Sequence, residues 1–245
     1  MNYIICHYAE IGIKGKNRSF FEKTLKENIE KTLIKNGISF EFVKRIPGKI
    51  IIKLKEDIEK ESKENKEKIE ESLKNIAGIA NFSHGLSANL NIEEIKEKAL
   101  EILSKINFEK FRISTIRSNK NFPLNSQKVN EIVGEYILKN LNKKVDLKNF
   151  DVECFIEISE NNAFIYTEKI NGIGGLPVGT QGNVVGLISG GIDSPVACFL
   201  AMKRGCNVIF LHFHSFPYTD KMSIEKVKKI VKILNKFQLK SKIYL

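Results

Sequence analysis

Residues 184 to 205, VVGLISGGIDSPVACFLAMKRG, constrain the fold of this chain more than any other stretch. An apolar run climbs into two glycines and an acid. A helix over 194–204, SPVACFLAMKR, then stops at Gly205. Strand, glycine loop and helix in that order open a parallel βαβ unit. The run that follows, CNVIFLHFH at 206–214, is almost continuously apolar, as a strand buried on both faces is. A helix over 223–237 with Val227, Ile230, Val231 and Leu234 on one face comes next. The closing KIYL reads as the start of a third strand.

A loop between a parallel strand and its helix points backbone N–H groups outward, and the helix dipole favours an anion there. Gly190 and Gly191 let the backbone approach phosphate oxygens without a Cβ in the way. Ser189 and Ser194 add hydroxyls, and Pro195 suits a first helical turn that needs no N–H. SGGIDS lacks the Gly-Lys-Ser/Thr of a Walker A loop. Without that lysine the loop suits a pyrophosphate held as a leaving group better than γ-phosphoryl transfer. Asp193 beside an anion makes sense if Mg2+ bridges it to the phosphates or if it orients the loop.

The preceding residues order themselves into two α+β blocks. The first holds a strand at 3–8 and a helix from Asn17 with Phe21, Leu25, Ile29 and Leu33 at spacing four. A hairpin of 38–45 with 49–54 follows, then a charged helix carrying Ile69, Leu73 and Ile76, and a strand at 79–88. Glu56/Lys60, Glu59/Lys63 and Glu64/Lys68 are spaced for i,i+4 pairs along that helix. The order βαββαβ is the ferredoxin-like pattern. The second block holds helices at 92–105 and 126–141, a strand at 110–118 and a hairpin of 150–159 with 162–170. Five glycines and a proline fall within 171–183, which reads as a linker or a backbone-rich binding loop.

The 245 residues carry 40 basic and 29 acidic side chains, a net charge of +11, which points to an acidic partner, most often nucleic acid. Residues 184–245 hold 10 basic and 3 acidic residues, so +7 of that charge lies there. The helix at 223–237 therefore presents a basic face, set beside RNA or simply solvated. No apolar run approaches the ~20 residues of a membrane span, and MNYIICHYAE lacks the plan of a signal peptide. The four cysteines are scattered without a CxxC pair, which fits a reducing cytoplasm.

SGGIDS matches the SGGxDS signature of PP-loop ATP pyrophosphatases. With IGGLPVGTQG, MKRG, FHSFPYT, EIGIKGKNRSFF and RSNKNFPLNSQKVN, the chain resembles the tRNA 4-thiouridine synthetase (tRNA sulfurtransferase) family over essentially its whole length. The resemblance implies an α+β N-terminal half, a ferredoxin-like domain then a THUMP RNA-binding domain, followed by an α/β Rossmann-like PP-loop domain. The expected divisions are 1–76, 77–170, a glycine-rich linker at 171–183, and 184–245. The first is soft, because the strand at 79–88 belongs to the ferredoxin-like sheet by pattern. The 62 residues from Val184 are few for a PP-loop domain, so that domain is expected to be incomplete here.

The activity implied is replacement of O4 of tRNA uridine 8 by sulfur, with thiamine biosynthesis a second role in many members. ATP adenylates the uracil oxygen, pyrophosphate leaves, and persulfide sulfur attacks C4. The implied cofactors are ATP and Mg2+. The implied partners are tRNA, a persulfide donor such as a cysteine desulfurase or another sulfide source, and a sulfur-carrier protein, with no membrane. Asp193 is the expected catalytic residue. Leu187, Ile188, Ser189, Gly190, Gly191, Asp193, Ser194, His212 and Phe213 are expected around ATP, and no protein-bound metal is expected. For tRNA the candidates are Lys14, Lys16, Arg18, Arg112, Arg117 and Lys120. Cys198 and Cys206 read as buried small hydrophobes, and the family's persulfide role is not carried onto either. The alternative is a tRNA-binding fragment without catalysis.

Overall fold

The structure is a computed structural model and describes residues 1–214 and 221–245. Strands β1 (Tyr3–His7), β2 (Phe40–Ile46), β3 (Lys49–Leu54) and β4 (Asn81–Ala88) alternate with helices α1 (Arg18–Lys35) and α2 (Lys63–Lys74). They pair antiparallel in the order β2-β3-β1-β4, the ferredoxin-like arrangement. Phe21, Leu25, Ile29 and Leu33 of α1 all face the sheet and are buried. Each fully buried side chain of this size contributes about 1.5–3 kcal/mol. Gly37 takes φ +64 just past the helix, a backbone shape that suits glycine.

The charged stretch before α2 differs from its expected form. Residues 55–62 turn rather than coil, and the helix begins only at Lys63, where Ser62 caps it by accepting from the Asn65 N–H. The spacings Glu56/Lys60 and Glu59/Lys63 therefore fall outside the helix. Glu59 instead meets Lys105 at 2.7 Å, and Lys63 meets Glu67. Burial of Ile58 overrides the local charge pattern and pulls the turn inward.

The second block adds α3 (Ile92–Leu103), β5 (Lys110–Arg117), α4 (Ser126–Leu141), β6 (Lys144–Val145), β7 (Val152–Ile158) and β8 (Ala163–Tyr166). Its sheet runs β4-β8-β7-β5-β6, with β5 parallel to β7. Strand β4 belongs to both sheets. Residues 81–85 pair with β1, and Leu86–Ala88 pair with β8. Beyond Tyr166 the chain leaves the sheet and returns as β9 (Ile170–Asn171) on the same strand, so the expected strand over 162–170 is split.

A polar cluster ties the two blocks together. Glu157 of β7 accepts from His7 Nε2 at 2.8 Å, from the Tyr166 hydroxyl, and from the Lys49 ammonium. Glu157, Lys49 and Tyr166 are all buried. Ile5, Ile51, Phe164 and Tyr166 form an apolar cluster at the same junction. At Gly85 an added Cβ would lie 2.6 Å from the Ile165 carbonyl oxygen, so the shared strand has no room for a side chain there.

The third unit contains β10 (Asn183–Leu187), α5 (Asp193–Lys203), β11 (Asn207–Leu211), α6 (Lys221–Leu234) and β12 (Ile243–Tyr244). Its strands are parallel in the order β10-β11-β12. The glycine-rich segment before it is built into the structure rather than slung between units. Gly78 donates to the Gly174 carbonyl, Leu176 to that of Lys203, and Gly179 and Gln181 to that of Gly205. Leu176 is 2% exposed and packs in the core of the first unit. Gly175, at φ +80, has the Lys203 carbonyl against the space a Cβ would fill. Glu10 completes the tie by meeting Arg204 at 2.7 Å.

Candidate functional site: the glycine loop

Strand β10 brings its chain to the carboxyl edge of the parallel sheet in register with β11, Leu187 opposite Leu211. The Ile188 N–H still bonds the Leu211 carbonyl at 2.9 Å, and Ile188 is 2% exposed. The loop departs from there. Gly186 sets the depth of the packing behind it, since a Cβ would lie 2.6 Å from Cys198 Sγ. Helix α5 can thus lie close on the strand, with its N-terminus at the sheet edge. Crevices at such edges bind ligands in open α/β sheets.

Within the loop the two serines close on each other. The Ser189 N–H donates to Ser194 Oγ at 2.9 Å, the two hydroxyls are 3.0 Å apart, and the Gly191 N–H points to Ser189 Oγ at 3.3 Å. Their first role is therefore to fix the loop's shape. Helices α2, α3 and α4 have their N-termini capped by Ser62, Asn91 and Asn125, whereas α1 and α5 have no capping side chain. The first N–H groups of a helix have no partner within it, so those of α5 are left facing the loop. Asp193 occupies the first turn, exposed and without an ion pair among the described residues.

His212 stands beside the loop on the strand that follows. It is 8% exposed, and its Nδ1 lies 2.8 Å from the Ile188 carbonyl. Nδ1 must carry the proton to make that bond, so in the neutral ring Nε2 is left as an acceptor. Nε2 is buried and has no partner among the described residues. Leu187 at 60%, Ile192 at 83% and Phe213 at 75% exposure leave apolar surface around the mouth. Residues 215–219 of the FHSFPYT motif lie outside the described residues. The loop thus offers backbone donors, one carboxylate free to meet a metal carried by phosphates, and apolar surface for a base. That fits ATP and a phosphate-borne Mg2+.

One residue here is missing from the sequence-based set. Lys226 of α6 lays its side chain over Gly190. A Cβ added to Gly190 would lie 3.1 Å from Lys226 Cδ and 3.7 Å from its Nζ. The two residues are 36 positions apart, and no spacing rule links them.

The candidates for RNA separate into two groups. Arg18 is engaged with Glu22 at 2.8 Å and the Tyr8 hydroxyl at 2.9 Å. Lys14 sits 5.1 Å from the centre of the Phe21 ring. Arg112 bonds Glu153 and the Leu147 carbonyl and lies over Phe150. Arg117 donates to the carbonyls of Phe122 and Leu124, which shapes the loop after β5. Lys16 and Lys120 are exposed and carry no ion pair among the described residues. A cavity of about 1070 Å³ lies away from the glycine loop. It lies at the other end of the parallel sheet, between α1, α2 and the end of α6, with Lys31, Lys68, Lys232 and Lys240 among its walls.

Of the cysteines, Cys6, Cys154 and Cys198 are buried and Cys206 half-buried, and all four are free thiols. Burial raises the Cys198 thiol above its ordinary value. None is set up as an exposed thiolate nucleophile.

Two α+β blocks, the first ferredoxin-like, and a parallel sheet with a glycine loop at its carboxyl edge define the class by fold: a PP-loop-type unit preceded by two α+β blocks. Comparison with known proteins specifies it further. Residues 3–83 match the ThiI ferredoxin-like domain, 89–168 the THUMP domain, and 179–245 the Thiamine biosynthesis protein (ThiI) family. The chain is 40% identical over 242 residues to a probable tRNA sulfurtransferase of Mycoplasmopsis synoviae, covering 98% of this chain and 59% of that one. It is 41% identical over 236 residues to another from Caldanaerobacter subterraneus, covering 96% and 59%. The crystal structure of PH1313 from Pyrococcus horikoshii Ot3 superposes with a TM-score of 0.84 at 34% identity, covering 99% of this chain and 79% of that one. A 4-thiouridine synthetase–RNA complex with bound ATP superposes with a TM-score of 0.80 at 36% identity, covering 97% and 59%. The chain belongs to the ThiI, or tRNA sulfurtransferase, family. It spans about 59% of the length of these curated relatives.

Proposed function

We propose that this chain serves ATP-dependent sulfur transfer to uridine 8 of tRNA, forming 4-thiouridine. The observation that carries the reading is the glycine loop at the carboxyl edge of a parallel sheet, facing an uncapped helix N-terminus. The first two blocks supply the RNA-binding surface, and the loop grips the phosphates of ATP. The THUMP match and the RNA–ATP complex of the related synthetase support this division of labour.

The chemistry follows from the poor leaving ability of a uracil oxygen. O4 attacks the α-phosphorus of ATP, and the bond from that phosphorus to the bridging oxygen breaks. Pyrophosphate leaves with the electron pair, held by the N–H groups of residues 190–194. When bound with ATP, Mg2+ neutralises phosphate charge, and Asp193 is the loop residue placed to hold it. The terminal sulfur of a donor persulfide then attacks C4 and displaces AMP. A second thiol of the donor attacks the inner sulfur, so the S–S bond to C4's sulfur breaks and leaves 4-thiouridine and a donor disulfide; free sulfide would displace AMP directly. His212, through its free Nε2, accepts a hydrogen bond from the nucleotide. Leu187 and Phe213 line the base. The same sulfur chemistry would serve thiamine biosynthesis, and a cytoplasmic setting supplies the tRNA. Among the described residues no helix is long and apolar enough to cross a membrane.

The test is to incubate the protein with unmodified tRNA, ATP and a sulfide source, and to measure pyrophosphate, AMP and 4-thiouridine. The expected result is release of pyrophosphate that depends on tRNA and disappears in Asp193→Ala. RNA binding without any nucleotide binding would favour the non-catalytic alternative instead.

A further inference from the structure

The glycine loop lacks a cation of its own. Its one charged side chain, Asp193, has the same sign as the triphosphate it is proposed to meet. A Mg2+ carried by the phosphates would offset Asp193, which leaves the remaining triphosphate charge to backbone dipoles. A positive side chain from elsewhere in the fold is needed, and the structure contains one.

Helix α6 is anchored by Val227, Val231 and Leu234, which are buried in the core of the third unit. Lys226 immediately precedes the fully buried Val227, so its backbone is fixed. Its stem runs across Gly190, with Cδ, Cε and Nζ at 3.1, 3.6 and 3.7 Å from the position a Cβ would take. The glycine therefore does two things: it exposes the loop backbone, and it leaves a groove for the lysine stem. The neighbouring acid, Glu225, is bonded to Lys228 at 2.9 Å. Lys226 is exposed and makes no ion pair with any described residue.

We infer that Lys226 is the phosphate-binding cation of this site, contacting the β- and γ-phosphates of ATP and then the departing pyrophosphate. An ammonium group is a compact point charge with three donors, suited to oxygens that shift as a leaving group separates. Its role is electrostatic, and no proton is transferred to it in the step. A lysine carried on a distant helix replaces the one that a Walker A loop carries internally. The inference rests on the proposal that the glycine loop binds ATP.

The experiment measures equilibrium binding of ATP, inorganic pyrophosphate and AMP to the chain and to Lys226→Met, Lys226→Arg and Lys228→Met. Loss of one charge-assisted contact predicts that Lys226→Met weakens ATP and pyrophosphate about 10- to 100-fold. AMP binding should change less than about 2-fold, because the phosphates that Lys226 contacts are absent. Lys226→Arg should restore part of the loss, and Lys228→Met should leave all three affinities unchanged. The inference is overturned if wild type binds ATP and Lys226→Met binds it equally well, or if ATP and AMP weaken in parallel. If wild type binds neither ATP nor pyrophosphate, the reading of the loop fails along with it.

Discussion

Replacing Glu157 by leucine removes the acceptor on which the junction between the first two blocks depends. Three donors converge on that carboxylate: the Lys49 ammonium, His7 Nε2 and the Tyr166 hydroxyl. Lys49 is only 8% exposed, so its charge cannot turn to water. Breaking a buried ion pair from one side costs about 3–5 kcal/mol, and most of that is the stranded charge. A buried hydroxyl left unpaired costs about 1–3 kcal/mol. We therefore expect Glu157→Leu to lose about 3–5 kcal/mol, or about 6–20 °C in Tm at the usual 2–4 °C per kcal/mol for a chain of this size. The double variant Glu157→Leu/Lys49→Met removes the stranded charge and should recover all but about 1–3 kcal/mol. The chain has six tyrosines and no tryptophan, so urea unfolding followed by far-UV circular dichroism is the suitable assay. A single-variant loss below about 1 kcal/mol, or a double variant no more stable than the single, would refute the stranded-charge argument.

Acid should loosen the first block, at the junction through His7 and beneath α2 through His84. Burial lowers His84 from 6.5 to about 4, and burial with Lys49 and Lys169 lowers His7 to about 4. Both rings are neutral in the fold and take up a proton on unfolding below pH 6.5. Their stabilisation is thus complete above that pH and is lost as the pH falls towards 4, by about 3 kcal/mol each at most. Urea midpoints between pH 7 and pH 4.5 should fall, and a flat profile would contradict the assignment. Gly175→Ala should cost more than about 1 kcal/mol and loosen the third unit, because φ is +80 and the Lys203 carbonyl occupies the Cβ position. Limited proteolysis should then cut faster within 171–183; unchanged cutting would contradict the packed-segment description. For RNA, Lys16→Ala and Lys120→Ala should each weaken tRNA binding and reduce its salt slope by about 1. Arg117→Ala should act through the loop carbonyls it holds and lower Tm. Equal salt slopes in all three variants and wild type would remove Lys16 and Lys120 from the interface.

The strand–glycine loop–helix was legible because all its determinants are local. The apolar run, the two glycines and Pro195 lie within a dozen residues, and backbone geometry does the rest. Amphipathic helices such as α1, with a buried residue at every fourth position, were legible for the same reason. The turn at 55–62 was not, because a single buried isoleucine, Ile58, outweighed a run of charges spaced for a helix. The shared strand β4 was only half legible: apolar patterning places it in a sheet but cannot say that two sheets claim it. Contacts distant in sequence left no local mark. His7 and Glu157 are 150 positions apart, and Lys49 and Glu157 are 108. Lys226 sits on an ordinary basic amphipathic helix, where only the fold reveals that one lysine of several lies over Gly190. The arginines picked out for RNA by charge are held by carboxylates and carbonyls, which residue type alone could not reveal.

The loop containing Asp193 is proposed to power tRNA thiolation in the cell. The direct measurement is the 4-thiouridine content at position 8 of tRNA, by nucleoside digestion and mass spectrometry, from cells carrying either the native gene or its Asp193→Ala form. 4-Thiouridine is expected in the first and is expected to be lost in the second, with the protein present at equal levels. Undiminished 4-thiouridine in the Asp193→Ala cells would contradict the proposal.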